Sequence, residues 1–346
     1  MKILYFLYLL KSTEYPKFWE YVSFVSQQKK QSKSQTLYQV LRSFAKHNTS
    51  FLDYFYLEFY NKSDEEVNNY ASTLLMHKFH RELNGPDFIK YFRNKKLFYQ
   101  RFASYIKHAY FIPENKTVED FENWLQEKAP QAIMAKKSSG QAGLGIEKFM
   151  ITKKDHQYFV GDRNLEQFFL YAKKQGYDLL DTYIKQHPAI HAISPDALST
   201  IRIISVLSPQ GAVTILAAMI RMSTGSFVDN FHKGGVSAAV DLETGKLLAP
   251  MLFQDPRKSR TLTAHPVTGK EVIGFVIPFW DQVLPMIEQA ALMVPQVKTV
   301  GWDVIITAQG PSLLEGNDNW DKTHYEKIKN HGLKSQIDTF LAENKN

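Results

Sequence analysis

The sequence contains no cysteine, no apolar run of membrane-spanning length and no recognised nucleic-acid-binding motif. Without cysteine, disulfide bridges, thiolate metal sites and cysteine nucleophiles are excluded, and a cytoplasmic protein is expected. The apolar run at the N-terminus, from Ile3 to Leu10, is too short to cross a bilayer. One lysine precedes this run and no small-residue cleavage site follows it, so we interpret it as a buried or membrane-surface helix.

The positive charge of the chain is unevenly distributed. The formal net charge is +7, and residues 1–150 hold 22 basic and 15 acidic residues, whereas the remainder holds 20 of each. The first fifty residues alone hold eight basic and two acidic residues. A nucleic-acid partner is not expected without a binding motif. The basic segment instead predicts contact with a phosphorylated substrate or with the anionic inner face of a membrane, and a solvated basic helix face is the alternative.

The apolar pattern changes from helical spacing to short strands near residue 131. Up to about residue 90, apolar residues recur at spacings of three and four, as at Phe51, Tyr54, Phe55 and Phe59, which predicts helices. Later, short apolar runs between turn residues predict strands, and a long helix is predicted over residues 280–293. The fold class is therefore predicted to be α+β, with room for two or three subdomains. The predicted strands cover residues 132–135, 149–152, 179–185, 200–207, 212–222 and 236–241.

The segment KKSSGQAGLGIEKF, residues 136–149, places a lysine at a strand end before a glycine-rich loop. Gly140, Gly143 and Gly145 would let backbone N–H groups approach phosphate oxygens, and Lys136 would supply a cation. The segment lacks the following helix that P-loop and dinucleotide motifs need. A phosphate-binding loop and a plain glycine-rich hairpin turn both fit this pattern.

Two arginines, Arg202 and Arg221, lie in strands that are otherwise apolar. Burying an arginine is costly unless an anion pairs with it. Because the two strands form a predicted hairpin, the arginines predict a phosphate or carboxylate site. Pairing with internal acids, or exposure on a sheet edge, is the alternative.

Polar residues precede a Gly-Gly pair in the segment VDNFHKGG, residues 228–235. Asn230 and His232, followed by Gly234 and Gly235, predict a loop in which backbone and side chains contact a substrate. A tight polar turn with capping side chains is the alternative.

Two acids and an amide lie in the segment GWDVIITAQGPSLLEGND, residues 301–318, which is predicted to be a strand, a turn at residues 309–311 and a second strand. Asp303 lies near the start of the first strand, Glu315 ends the second, and Asn317 follows. Their hard oxygen atoms suit Mg²⁺ that bridges phosphates. Solvated strand-end carboxylates are the alternative, but together with the lysine, glycines and arginines these residues predict a nucleotide–magnesium site.

In this order, the motifs resemble those of ATP-grasp enzymes over about residues 90–325. The similarity is greatest to the sugar-transfer-associated branch, whose members are linked to cell-surface polysaccharide synthesis. The segments that carry the resemblance are STIRIIS, VDNFHKGG, AHPVTGK, GFVIPFW, GWDVIIT and LLEGND.

The resemblance implies an ATP-grasp fold, in which two α+β subdomains sandwich ATP, and it implies roles for single residues. Arg202 and Arg221 would stabilise the transferring phosphoryl group, and Asp303, Glu315 and Asn317 would hold one or two Mg²⁺ ions. Lys95 and Lys136 would be the two phosphate-binding lysines. Each is followed by a second lysine, Lys96 or Lys137, so either assignment could shift by one residue. The residues implied to contact the nucleotide are Lys95, Lys136, Gly140, Gly143, Gly145, Asp181, Tyr183 and Ile184.

The implied activity is that of an ATP-dependent carboxylate–amine ligase that acts through an acylphosphate. An amino acid or uronic acid would be joined to an amino sugar of a surface-polysaccharide precursor. A phosphotransferase acting on a sugar hydroxyl and a nucleotide-binding scaffold for a glycosyltransferase complex are the alternatives. The predicted organisation is a basic helical region at 1–90, a lid subdomain at 91–182, a core subdomain at 183–330 and a C-terminal helix or tail at 331–346.

Overall fold

The computed structural model describes residues 2–139, 145–225, 234–258 and 261–345. Four residues that the sequence proposes for the site, Gly140, Gly143, Asn230 and His232, lie outside these ranges. The described chain is an α+β protein with a helical N-terminal region and two antiparallel sheets, which confirms the predicted fold class.

Helices form the N-terminal region, as the apolar spacing predicts. Their capping residues fit this, since Ser32 and Ser63 each form a capping box with a Gln or Glu three residues later. Aromatic residues such as Tyr21, Phe55 and Phe59 form their common core. The helices up to residue 101 are α1 Lys2–Ser12, α2 Tyr15–Gln28, α3 Lys33–His47, α4 Asp53–Tyr56, α5 Asp64–Asn68, α6 Thr73–Leu83, α7 Lys90–Arg93 and α8 Lys95–Arg101.

The first sheet has the strand order β1-β6-β2-β3-β4-β5, and every neighbouring pair is antiparallel. Its strands are β1 Tyr110–Phe111, β2 Ala132–Lys136, β3 Ile146–Lys154, β4 Gln157–Val160, β5 Arg163–Asn164 and β6 Leu179–Thr182. Helices α9 Val118–Lys128 and α10 Leu165–Gln175 cover it, with Phe121 and Phe168 packed against Ile133 and Leu180. β6 ends at Thr182, so the strand predicted to continue to residue 185 is shorter than expected.

The second sheet has the order β10-β9-β8-β7-β11-β12, again antiparallel throughout. Helices α11 Pro188–Ile193 and α12 Trp280–Met293 contribute to the core on one face. Helices α6, α13 Lys322–Lys329 and α14 Lys334–Glu343 cover the other face, where Phe79, Ile328 and Ile337 pack against Ile204. The strands are β7 Thr200–Leu207, β8 Val213–Met222, β9 Val236–Val240, β10 Leu247–Phe253, β11 Thr299–Thr307 and β12 Gly310–Asn317.

Buried polar contacts join the C-terminal helices to the N-terminal helical region. The Lys322 ammonium lies 3.0 Å from the Asp53 carboxylate. The Glu326 carboxyl accepts hydrogen bonds from the backbone N–H groups of Ala71 at 2.7 Å and Leu333 at 2.9 Å. The N-terminal helices are therefore anchored on the same unit that carries the second sheet.

Candidate nucleotide and metal site

Asp303 and Glu315 lie opposite each other, because the antiparallel register of β11 and β12 pairs them directly. Asn317 lies two residues further along β12, on the same face, as strand geometry requires. Its Nδ2 atom donates to the Gly301 carbonyl at 3.2 Å and lies 3.5 Å from Glu315 Oε1. The strand pair thus brings together the three side chains that the sequence proposes as metal ligands.

Gly316, between Glu315 and Asn317 of β12, allows an aromatic ring to pack closely against the strand. A Cβ atom added at Gly316 would lie 2.7 Å from the ring of Phe92, at the helix α7. The turn that precedes this strand is shorter than predicted, since Gly310 and Pro311 already belong to β12 and pair with Thr307 and Ile306.

Both strand arginines pair with Asp303. Arg202 donates from Nε to Oδ1 at 2.5 Å and from Nη2 to Oδ2 at 3.0 Å, in a bidentate arrangement. Arg221 Nη2 lies 2.9 Å from Oδ2, and Arg221 also donates to the Thr200 hydroxyl. Of the interpretations that the sequence left open, pairing with an internal acid is the one seen here.

The two acids of the strand pair have opposite pKa shifts. Burial by itself would raise the pKa of Asp303, but the charges of Arg202 and Arg221 outweigh it and hold this pKa well below its usual range. Burial raises the pKa of Glu315, and the negative charge of Asp303 raises it further, while the charge of Lys95 partly opposes this. Glu315 is therefore the acid whose negative charge is poorly compensated.

Glu315, Asn317 and Asp303 could together supply oxygen ligands to a magnesium ion. A cation beside Glu315 would relieve the repulsion between the two carboxylates, and carboxylate and amide oxygens are the ligands that Mg²⁺ prefers. Within the described residues, no group of three or more His, Cys, Asp and Glu side chains is arranged to hold a metal ion. Two carboxylates with an amide are consistent with an ion that takes its other ligands from phosphates and water.

Of the two adjacent lysines, Lys95 is the one that interacts electrostatically with Glu315. Burial lowers the pKa of Lys95, the charge of Glu315 opposes that effect, and the charge of Lys136 adds to it. Lys96 instead forms ion pairs, with its Nζ atom 2.8 Å from Glu114 and 3.7 Å from Asp178. The two lysines, whose register the sequence left open, therefore have different charged neighbours.

Lys136 is buried at the end of β2 and forms an ion pair with Asp181 of β6. The Tyr99 hydroxyl also donates to Asp181 Oδ2, at 2.9 Å, and His108 Nε2 lies 3.1 Å from that hydroxyl. Burial would raise the pKa of Asp181, but the charge of Lys136 and the contact with His108 hold it below its ordinary value. Lys137 is exposed, whereas Lys136 is buried beside Asp181.

Asp178, which the sequence analysis missed, fixes the backbone just before the glycine-rich loop. Its carboxylate accepts hydrogen bonds from the backbone N–H and the hydroxyl of Ser138, both at 2.6 Å. The Ser138 carbonyl in turn accepts from the backbone N–H of Lys95 at 2.9 Å. The two lysine-bearing segments are thereby held together. No local sequence signal marks this pairing, because the residues are about forty positions apart.

Tyr183 and Ile184 follow β6, where the chain passes from the first sheet toward the second. The Tyr183 backbone N–H donates to the Ala132 carbonyl at 2.9 Å, and its ring is half exposed with the Lys148 ammonium 4.0 Å from the ring centroid. Ile184 is buried. The backbone predicted to meet the adenine base therefore lies at the junction of the two sheets.

The remaining glycines of the proposed site that the structure describes lie close to the starts of strands β3 and β9. Gly145 and Gly234 both have positive φ, of 74° and 98°, which favours glycine. The Gly234 carbonyl accepts from the Thr224 hydroxyl at 2.9 Å, and Gly235 is buried directly before β9. The structure thus places Gly234 and Gly235 at the end of the second sheet.

His265, in the AHPVTGK segment, has a role that sequence reasoning did not assign. Its Nε2 atom donates to the Ser223 carbonyl at 2.7 Å, and its Nδ1 atom lies 3.3 Å from the Thr268 hydroxyl. Burial lowers the pKa of His265, which favours the neutral ring. The residue fixes the chain directly after β8.

Comparison with known proteins identifies the family. Residues 74–341 match the sequence model of the sugar-transfer associated ATP-grasp family, and the chain belongs to that family. No curated protein matches the chain in sequence.

Solved structures with a similar fold include three enzymes. Biotin carboxylase from Campylobacter jejuni, in complex with β-γ-ATP, is 11% identical over 74% of this chain and 47% of that chain, with a TM-score of 0.46. N5-carboxyaminoimidazole synthetase from Staphylococcus aureus, in complex with ADP, is 8% identical over 75% of this chain and 53% of that chain, with a TM-score of 0.44. D-alanine–D-alanine ligase from Coxiella burnetii is 11% identical over 74% of this chain and 60% of that chain, with a TM-score of 0.37. The chain spans about half to three fifths of the length of these structures.

No helix of the described chain is long and apolar enough to span a bilayer.

Proposed function

We propose that this protein is an ATP- and Mg²⁺-dependent carboxylate–amine ligase. The observation that carries the proposal is the convergence of Lys95 and Lys136 with the Asp303–Glu315 pair between two antiparallel sheets. Two lysines close to a pair of acids would suit a nucleotide whose phosphates carry a divalent ion. Membership of the sugar-transfer associated ATP-grasp family supports the same activity.

Different residues would bind the phosphates, the adenine base and the Mg²⁺ ion. Lys95 and Lys136 would neutralise and orient the phosphates of ATP, and the backbone at Tyr183 and Ile184 would contact the adenine base. Glu315, Asn317 and Asp303 would hold Mg²⁺, which, when bound, neutralises charge on the phosphates. The glycine-rich loop, with Gly140 and Gly143, would close over the phosphates.

The chemistry needs positioning rather than a protein nucleophile. A substrate carboxylate oxygen would attack the γ-phosphorus, the bond to the ADP oxygen would break, and an acylphosphate would form. The amine would then attack the acyl carbon, with loss of phosphate and of one amine proton. In the described structure Arg202 and Arg221 neutralise Asp303, and we propose that they also stabilise the transferring phosphoryl group.

The substrates are proposed from the family's association with sugar transfer. An amino acid or uronic acid would supply the carboxylate, and an amino sugar of a surface-polysaccharide precursor would supply the amine. Asn230 and His232, with the backbone at Gly234 and Gly235, are the proposed substrate contacts.

The test is ADP formation from ATP and Mg²⁺ across a panel of amino acids, uronic acids and amino-sugar nucleotides. Turnover is expected to require both a carboxylate and an amine, and to be lost in Glu315→Ala but retained in Glu243→Ala, a variant of an exposed glutamate. ADP formation with a sugar hydroxyl and no carboxylate would overturn the ligase and identify a phosphotransferase. Nucleotide binding without turnover on any pair, lipid-linked amines included, would favour the scaffold.

A further inference from the structure

Exposed apolar side chains concentrate in helices α1, α2 and α3. Of the thirteen large hydrophobic side chains exposed in the described chain, six lie within the first 41 residues. All six lie before residue 74, where the match to the family begins, so the ATP-grasp fold does not account for them. These six residues, called the N-terminal apolar surface below, are Leu7, Tyr8, Tyr15, Trp19, Tyr38 and Leu41.

Helix α1 is apolar on nearly every side, with the sequence KILYFLYLLKS. Tyr5 and Leu9 are buried, whereas Leu7 is 54% and Tyr8 59% exposed. A helix that is apolar all round is normally covered on all sides. Here the described chain covers one side of α1 and leaves the other side facing outward.

The exposed residues of the three helices belong to one packed unit. Phe6 of α1 contacts Phe44 of α3, with ring centroids 5.2 Å apart. The Tyr15 hydroxyl, at the start of α2, donates to the Leu10 carbonyl of α1 at 2.6 Å. Tyr15 and Trp19 are four residues apart on α2, and Tyr38 and Leu41 are three apart on α3, so each pair lies on one helix face.

The same helices carry most of the net positive charge of the chain. The first fifty residues have eight Lys and Arg and two Glu, a net charge of +6 out of +7. Lys29, Lys30 and Lys33 are exposed around the turn between α2 and α3. Arg42 and Lys46 are not counted toward a docking surface, because both pair with Asp64.

We propose that the N-terminal apolar surface docks on an anionic phospholipid bilayer. Tyrosine and tryptophan suit the boundary between headgroups and acyl chains, and lysine near them is attracted to anionic lipids. A second copy of the chain fits the surface less well, since two regions of net positive charge would repel each other. The docking does not depend on the proposed ligase activity, and it would bring the proposed site to substrates held at a membrane.

The test is co-sedimentation of the full chain with vesicles of phosphatidylcholine alone or with 40% phosphatidylglycerol. Binding is expected to the anionic vesicles and to weaken with salt. The triple variant Lys29→Gln/Lys30→Gln/Lys33→Gln is expected to bind about 100-fold less tightly, at roughly fivefold per lysine. The matched control changes three exposed lysines elsewhere, Lys154, Lys173 and Lys174, and is expected to bind like wild type.

A second pair of variants tests the apolar part. Leu7→Glu/Trp19→Glu is expected to lose vesicle binding, whereas Leu170→Glu/Leu292→Glu, at similarly exposed sites away from the three helices, is expected to keep it. A blue shift of tryptophan fluorescence on vesicle binding is expected in wild type and not in Trp19→Phe. Binding that neither N-terminal variant weakens, or equal binding to neutral vesicles, would overturn the proposal. A dimer in solution that Leu7→Glu/Trp19→Glu dissociates, without vesicle binding, would assign the surface to a second copy.

Discussion

Asp303 and Glu315 form a directly opposed pair of acids on adjacent antiparallel strands, and their charges are compensated unequally. Asp303 is held by two arginines, and its pKa is lowered despite its burial. Glu315 has a raised pKa because of burial and the neighbouring Asp303 charge. Keeping Glu315 ionised beside Asp303 lowers the stability of the protein without metal. Binding of a divalent cation would offset that loss.

Replacing Glu315 by glutamine is expected to stabilise the metal-free protein above the pKa of Glu315. A carboxyl group whose pKa is raised in the folded state contributes stability below its unfolded pKa and loses that contribution as the pH rises through the folded value. The variant should therefore melt higher than wild type at pH 8, by roughly 2 °C for each kcal/mol, and the gain should vanish near pH 4. Calorimetry without Mg²⁺ checks this, with Glu243→Gln as the exposed control. A lower melting temperature for Glu315→Gln at pH 8 would contradict the assigned environment.

The two adjacent lysines of α8 are expected to differ in nucleotide binding. Lys95→Gln should weaken ADP binding by about 10- to 100-fold, the usual worth of a hydrogen bond to a charged group. Lys96→Gln should bind nearly as wild type does, because Lys96 pairs with Glu114 and Asp178 instead. Isothermal titration calorimetry measures both. Equal losses in the two variants, or a larger loss for Lys96→Gln, would reverse the register.

Asp303→Asn is expected to destabilise the fold as well as to impair the site. It leaves Arg202 and Arg221, both largely buried, without their shared anion. Removing one partner of a buried pair typically costs about 3–5 kcal/mol. Urea unfolding measures the loss, and the double variant Arg202→Met/Asp303→Asn should recover part of it. If the single variant is as stable as wild type, the arginines have another anion.

A pH-dependent loss of stability is expected from Glu326, in the junction between α13 and the N-terminal region. Burial raises its pKa to about 7, an effect that the charge of Lys322 only partly opposes. Stability from this group is present below the unfolded pKa, near 4.3, and is lost as the pH rises through about 7. Glu326→Gln should flatten the decline in unfolding free energy between pH 5 and 8, whereas the exposed Glu343→Gln should not. Parallel pH profiles for wild type and Glu326→Gln would refute this.

Local sequence patterns predicted many of the elements and the proximity of the acid pair, because both depend on neighbours along the chain, but β4 and β10 were not predicted. The strand–turn–strand pattern of residues 301–317 was sufficient to predict that Asp303 and Glu315 lie close together, although the exact register depends on an irregularity after Asp303. The helix at residues 280–293 was predicted with the bounds observed, Trp280–Met293.

Long-range pairing could not be predicted in the same way. Arg202 pairs with Asp303 because β7 and β11, which are about a hundred residues apart in the chain, are neighbouring strands. Their register places the two residues opposite each other. Helix α13 is highly polar in sequence, and nothing local indicates that Lys322 and Glu326 are buried against the N-terminal helices. The different surroundings of Lys95 and Lys96 likewise depend on acids elsewhere in the chain, Glu315 for Lys95 and Glu114 for Lys96.

The most direct test of the proposed nucleotide–magnesium site is ADP binding to wild type and Glu315→Gln, each with and without Mg²⁺. Mg²⁺ is expected to tighten ADP binding to wild type by about tenfold or more, and to have little effect on Glu315→Gln, while Glu243→Gln should behave as wild type does. Lys95→Gln should bind ADP weakly in both conditions. An equal effect of Mg²⁺ on wild type and Glu315→Gln would contradict the site, because the ion would then bind without the acid pair.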